Sequence, residues 1–155
     1  MSARSATRRI TRQRGVAAIE FAILVPVLLI LLTAPLYVGR VLWHYTVVQK
    51  AAHDAARYLS TVPEAEMRSI ALAPSAAALA DSIIQAELSD LNTGSGPPSV
   101  TVMCNGRACS GVTAWSTVSV YIETEMRDPF FGTGYGGVDG LVITADVQMK
   151  YIGTK

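Results

Sequence analysis

The chain has 155 residues, of which 50% are apolar and 16% are charged, and its formal net charge is +1. This length allows about one domain, but the apolar share is high for an ordinary soluble one. The charges are unevenly distributed, because five arginines and no acid precede Glu20, whereas 8 Lys and Arg stand against 12 Asp and Glu from Val16 onward. A basic arm can bind nucleic acid. This one adjoins an apolar segment, so we expect it to set membrane topology instead, with no nucleic-acid partner.

The hydropathy pattern divides the chain into three predicted segments. Residues 1–15 form an Arg-rich cytoplasmic leader with too few apolar residues to build a core. Residues 16–39 are a predicted transmembrane helix, because the uncharged run from Phe21 to Gly39 has about nineteen residues, roughly the number needed to cross a bilayer core. Residues 40–155 are expected to form a periplasmic domain.

Past Arg40 the apolar residues recur at helical spacing, which predicts a single helix from about Val16 to about Leu59. Its predicted apolar face comprises Trp43, Val47, Ala51, Ala55 and Tyr58. Its predicted solvated face comprises Arg40, His44, Lys50, His53 and Arg57. Pro63 and Pro74 bracket a weakly helical stretch, and Ser75 to Leu91 is the second predicted helix.

After the turn residues Gly94 to Pro98 the apolar period changes from helical to two. Three alternating runs, which begin near Val100, Val118 and Leu141, predict three half-buried strands. The connections favour an antiparallel meander with one face against a helix. The predicted fold class is therefore α+β, with a long N-terminal helix whose first half spans the membrane, a second helix and a three-stranded antiparallel sheet.

The most informative stretch is RGVAAIEFAILVPVLLILL, from Arg14 to Leu32. Glu20 places a carboxylate just inside the apolar run, where a charge costs a few kcal/mol at membrane depth unless it is neutralised or paired. Taken alone, Glu20 has two interpretations. It is either a functional carboxylate or a residue of the headgroup zone without a role.

Gly15, Glu20 and Phe21 together resemble the processing site of type IV prepilins, in which a glycine ends the leader and a glutamate and an aromatic residue follow. The resemblance implies that a prepilin peptidase cuts between Gly15 and Val16. The cut would free an α-amino group on Val16, whose reference pKa is about 7.7 to 8. The resemblance also implies a pair between Glu20 of one subunit and Val16 of its neighbour, which would offset the burial of both charges.

The continuation LYVGRVLWHYTVVQKAAHDAARYLS, from Leu36 to Ser60, is similar to the TadE-like minor pilins of tight-adherence (Tad/Flp) pilus and secretion systems. The C-terminal half, in which a VTV strand runs into a cysteine, resembles them too. This resemblance implies a pseudopilin of the bacterial inner membrane, with its N-terminus in the cytoplasm and its folded domain in the periplasm. The implied partners are the prepilin peptidase, other Tad-type pilins and pseudopilins, and an inner-membrane assembly platform.

Cys104 and Cys109 are the only cysteines. In an oxidising compartment they could close a small disulfide loop, with two free thiols as the alternative. The additional Cys or His ligands of a zinc site are missing.

The remaining patterns favour no catalytic, cofactor or metal site. Glu123 and Glu125 are expected to face solvent on one strand, and His44, His53 and Asp54 to lie on a solvated helix surface. GTGYGG, from Gly132 to Gly137, contains GxGxxG but precedes a strand, so we interpret it as an interstrand loop. Trp115 and the RDPFFG run, from Arg127 to Gly132, are expected to pack over the sheet, with a partner contact as the alternative. The main alternative function is a single-pass anchored periplasmic accessory or binding domain, and an anchored enzyme is a third option.

Overall fold

The computed structural model describes residues 13–91, 93, 96–111, 116–127 and 140–153. Its elements, in chain order, are α1 (Gln13–Thr61), α2 (Glu64–Met67), α3 (Leu72–Leu88), β1 (Ser99–Cys104), β2 (Thr117–Met126) and β3 (Leu141–Lys150). The three strands form an antiparallel sheet in the order β1-β2-β3. The predicted α+β class, with a long N-terminal helix and a three-stranded sheet, is therefore confirmed.

The chain divides into two compact units between Gly39 and Arg40, and α1 contributes to both. In the first unit the helix is continuous through Pro26 and Pro35. Its large apolar side chains are exposed on all sides. A helix that is apolar all round needs either a surrounding protein core or lipid to cover it.

In the second unit, α1 buries a stripe of small and aliphatic side chains. Those with no exposed surface are Val48, Ala51, Ala52, Ala55, Ala56 and Leu59. The predicted apolar face was therefore partly wrong, because Trp43 is 64% exposed and Val47 and Tyr58 are only half-buried. Alanine side chains end at Cβ, so neighbouring parts of the chain can pack closely against this face of α1.

The second long helix lies three residues earlier than predicted. α3 begins at Leu72 and ends at Leu88, instead of running from Ser75 to Leu91. Pro74 is compatible with the first turn because the N–H groups there have no intrahelical partner to lose. The helix buries residues spaced three or four apart, namely Ala73, Ala76, Ala80, Ile84 and Leu88. The weakly helical stretch before it contains α2, a helix of 4 residues.

A lysine connects α1 to α3. The Nζ of Lys50 lies 2.8 Å from Oε1 of Glu87 on α3 and 3.0 Å from Oδ2 of Asp54 on its own helix. The hydrogen bond from Lys50 lowers the pKa of the Asp54 carboxyl, and that to Glu87 raises the pKa of the Lys50 ammonium. Lys50 thus links α1 to α3 at the protein surface.

The sheet is buried on one face. β2 alternates as predicted, because Val118, Val120, Ile122, Thr124 and Met126 are buried and the residues between them are exposed or half-buried. The inward residues of β3 are Ile143, Ala145 and Val147. β1 departs from the predicted alternation, since Val100, Thr101 and Val102 are all half-buried. Among the described strands it pairs with β2 alone, at one edge of the sheet.

Candidate processing and assembly segment

Gly15 and Val16 lie in the first turn of α1, which begins at Gln13. A Cβ added at Gly15 would meet no atom within 4 Å. Packing among the described residues therefore gives no reason for a glycine at this position.

Val16 and Glu20 are four residues apart in α1, which places them on one side of the helix at a separation of about 6 Å along its axis. Val16 is 59% exposed and Phe21 is 69% exposed, and Glu20 is exposed as well. Among the residues that the structure describes, none forms a hydrogen bond or ion pair with Glu20. Its carboxylate is thus available to a group from outside the described chain.

In the described part of the chain, α1 is the one helix long and apolar enough to cross a membrane. Its most apolar stretch has no residue buried within the protein. The length and apolar composition of α1 therefore indicate a membrane anchor.

The segment that carries these features also has a counterpart among known families. The family model described as TadE-like protein matches residues 15–57. Over this segment the chain is similar to TadE-like proteins, and the resemblance seen in the sequence is confirmed for these residues. Curated proteins and solved structures gave no match to the chain.

The TadE-like segment begins at Gly15 and ends at Arg57, so it contains every residue of the candidate processing site. It covers most of α1 and stops before α2. Residues 58–155, with α2, α3 and the sheet, lie outside the match.

His44 lies within the TadE-like segment and departs from its predicted environment. It is 5% exposed, whereas the sequence analysis placed it on the solvated face of α1. The reason is its spacing, because Val48 and Ala51 follow four and seven residues later and belong to the buried stripe. Among the described residues, no group forms a hydrogen bond with Nδ1 of His44. Burial lowers the pKa of the imidazole, and the charge of Arg40 lowers it further.

Cys104 and Cys109 are joined in the structure by a disulfide, with their Cα atoms 5.1 Å apart. A two-residue hairpin lies within this loop, since Asn105 and Gly106 have φ values of 52° and 73°. Arg107 N donates to the carbonyl oxygen of Cys104 at 3.1 Å. Positive φ at both central residues is the type I′ arrangement, for which Asn-Gly is the preferred sequence. The sequence analysis missed this turn although the Asn-Gly signal was present.

Asn105 also fixes the start of β2. Its Oδ1 accepts hydrogen bonds from the backbone N–H groups of Ser116 and Thr117, both at 2.9 Å. Asn105 N in turn donates to the carbonyl oxygen of Thr117 at 2.9 Å. The turn and the Asn105 side chain therefore hold the end of β1 against the start of β2.

The other polar residues singled out from the sequence are not brought together in a site. Glu123 is exposed and accepts a 3.0 Å hydrogen bond from the hydroxyl of Tyr121, while Glu125 is half-buried. Within the described ranges, no three His, Cys, Asp or Glu side chains are close enough to share a metal ion.

Several further predictions concern residues outside the described ones. They are the Arg-rich leader before Gln13, the first two of the turn residues that begin at Gly94, Trp115, the GTGYGG loop, and all of the RDPFFG run except Arg127.

Proposed function

We propose that the chain is a minor pilin, or pseudopilin, that a prepilin peptidase processes after Gly15. The mature chain then co-assembles with other Tad-type pilins in the biogenesis of a Tad/Flp pilus or secretion apparatus. Its N-terminus lies in the cytoplasm and residues 40–155 lie in the periplasm. The observation that carries this proposal is Glu20, an exposed carboxylate without a described partner, one helical turn after Val16 in an exposed apolar helix.

The position of the Gly15–Val16 bond suits a peptidase. Proteolysis acts on segments that open from regular structure, and the Gly15–Val16 bond lies close to the first described residue of α1. Glycine disfavours a helix by about 1 kcal/mol relative to alanine, which makes local unwinding easier. Because a Cβ at Gly15 would meet no described atom within 4 Å, we assign the role of this glycine to recognition by the peptidase.

Cleavage also changes the electrostatics of the helix. An exposed carboxylate at the head of an apolar helix is costly in lipid when it has no partner. The cut supplies an ammonium group on Val16 of every processed subunit. In an assembly, Glu20 of one subunit and Val16 of the next would neutralise each other and fix the axial register of the two helices.

The apolar surface of α1 gives a second argument for lateral assembly. Lipid covers this surface in an isolated subunit, whereas the same surface of a neighbouring pilin helix covers it in a filament. Helices of matching apolar length pack without exposing backbone polar groups, which are already bonded within each helix. The exposed helix therefore serves as the membrane anchor before assembly and as the packing surface after it.

The experiment is to express Glu20→Ala and Glu20→Asp chains in a host with a complete Tad apparatus and to measure processing and piliation separately. We expect both variants to be processed. Piliation should be lost or strongly reduced for Glu20→Ala and partly retained for Glu20→Asp, which keeps the charge on a shorter side chain. Normal piliation of Glu20→Ala would remove the pairing argument.

An anchored periplasmic accessory domain is the second candidate, and the end of the TadE-like match at residue 57 favours it. Residues 58–155 could act as such a domain while α1 stays in the membrane. The two candidates differ in processing, because a plain anchor keeps residues 1–15. They also differ in sensitivity to Glu20→Ala, which should leave an accessory domain active.

A further inference from the structure

An apolar groove lies at one end of the unit formed by residues 40–155. It is lined by Val41, Leu42 and Tyr45 of α1 and by residues 141–144 of β3. Leu42, Tyr45, Leu141 and Val142 are each at least 42% exposed. Large apolar side chains clustered in this way are typical of surfaces that another phase or molecule covers.

The groove is close in sequence to the predicted membrane span. Leu42 and Tyr45 follow Gly39, the last residue of the uncharged run, by three and six positions of the same helix. At a rise of 1.5 Å per residue, Tyr45 lies no further than about 9 Å from Gly39 along the helix. The polar layer on each side of a bilayer core is roughly 5 to 8 Å thick. The residues from Leu42 to Tyr45 therefore fall in or at the edge of the headgroup layer.

The residue types between Arg40 and Tyr45 suit the headgroup layer of a membrane. Trp43 is 64% exposed and Tyr45 is 48% exposed, and both aromatic types are enriched at membrane–water interfaces. The residues that line the groove carry no charge. Arg40 precedes them on α1, and a guanidinium binds phosphate oxygens well. An uncharged apolar lining beside exposed aromatic residues therefore matches the boundary between lipid headgroups and acyl chains better than it matches an acidic or basic protein surface.

The fold brings Leu141 and Val142 of β3 next to the groove residues of α1. Both line the groove with the residues of α1, so the start of β3 lies beside Val41 to Tyr45. On β2, Met126 pairs with Leu141 and Glu125 pairs with Val142. The exposed Arg127 follows Met126, so the end of β2 contributes one negative and one positive charge near the groove.

We propose that this groove is a lipid-binding surface, by which the end of the sheet is seated in the headgroup layer of the membrane that holds α1. Lipid headgroups and the first acyl carbons then cover Leu141 and Val142. The proposal rests on membrane insertion of α1 but not on processing or filament assembly. Its consequence is that the folded unit is held against the membrane at two places, α1 and β3.

The test uses the full chain reconstituted in vesicles of phosphatidylethanolamine and phosphatidylglycerol. Val142→Cys is labelled with an environment-sensitive fluorophore, and Gln148→Cys is the matched control. Both residues are exposed on the same face of β3, and six residues separate them by about 20 Å. The native cysteines form a disulfide and stay unlabelled without a reductant. A third variant, Leu31→Cys, reports insertion of α1.

We expect nitroxide-bearing lipid to quench the label at position 142 several-fold more strongly than the label at position 148. Aqueous iodide should show the opposite order. If the label at 31 is quenched by lipid nitroxide while 142 behaves like 148, the proposal is overturned and anchoring by α1 stands. If 142 is protected from iodide only as the protein-to-lipid ratio rises, a second copy covers the groove and the proposal is also wrong. Accessible labels at both 31 and 142 would overturn the proposal together with the anchoring on which it rests.

Discussion

The hydroxyl of Tyr151 donates a 2.6 Å hydrogen bond to the backbone carbonyl oxygen of Val62, a residue 89 positions earlier in the chain. The adjacent residue adds a second link, because Ile152 N donates to the carbonyl oxygen of Ser60 at 3.0 Å. Burial raises the pKa of the Tyr151 phenol, and the nearby Glu64 raises it further. The segment after β3 thus holds the C-terminal end of α1 through two hydrogen bonds, one from a backbone N–H and one from a phenol that stays neutral.

Replacement of Tyr151 by Phe removes the hydroxyl that donates to the Val62 carbonyl oxygen. We expect the free energy of unfolding to fall by about 1 kcal/mol, which is typical for the loss of one intramolecular hydrogen bond. Chemical denaturation of the full chain in detergent micelles measures it. Tyr121→Phe is the control, because the Tyr121 hydroxyl donates to an exposed glutamate and its loss should leave the midpoint unchanged. Equal effects of the two variants would show that the Tyr151 link does not stabilise the fold.

The disulfide should make a measurable contribution to stability. Closing a loop of this length stabilises a protein by about 2 kcal/mol in the chain-entropy description. We therefore expect the double variant Cys104→Ala, Cys109→Ala to lose about that amount in the same denaturation measurement. A reductant should lower the stability of the wild-type chain and leave that of the double variant unchanged. Reductant-insensitive wild-type protein whose two thiols react freely with maleimide would mean that the cysteines are not bonded.

The buried imidazole of His44 predicts a loss of stability in mild acid. Its pKa is lowered from 6.5, chiefly by burial, so the folded chain favours the neutral ring and the unfolded chain binds the proton more readily. Stability is therefore complete above about pH 6.5 and falls as the pH drops through that value. His44→Leu should flatten this part of the profile. His53→Gln, on the exposed side of the same helix, should keep the wild-type slope, and an unchanged slope in His44→Leu would contradict the assignment.

Substitution of two glycines of α1 tests whether Gly15 is needed by the peptidase or by the fold. A Cβ added at Gly15 or at Gly39 would meet nothing within 4 Å, so alanine at either position should leave the chain folded. We expect Gly15→Ala to accumulate unprocessed chain in a peptidase-competent host, whereas Gly39→Ala should be processed like the wild type. Immunoblotting for the shift in mass gives the ratio of the two forms. Normal processing of Gly15→Ala would assign the cut to another bond.

Much of the fold is predictable because its signals are local. The apolar run to Gly39 and the alternation around Val120 each establish an element without knowledge of its neighbours, and both predictions are confirmed. The choice of buried face on α1 was harder. Helical spacing alone allowed Trp43 to lie in the core, and only the packed structure shows that the stripe through Val48 and Ala52 is buried instead.

The features that the sequence analysis missed have two causes. The Asn105–Gly106 turn carries a recognised local signal and could have been found. The bond from Tyr151 to Val62 carries no local signal, because it depends on how the end of β3 meets the end of α1. The same holds for the groove beside Tyr45, since no pattern around Val142 indicates that α1 is its neighbour. Contacts between distant segments thus required the folded chain.

The most direct test of the proposed function is the identity of the first residue of the mature protein. The chain is isolated from membranes of a host that contains a prepilin peptidase, and its N-terminus is determined by mass spectrometry, with a peptidase-deficient host as the control. We expect a chain that begins at Val16, with Glu20 as its fifth residue, and full-length chain in the control. A first residue of Met1 in both hosts, or a start near Pro35, would contradict the assignment as a processed pilin.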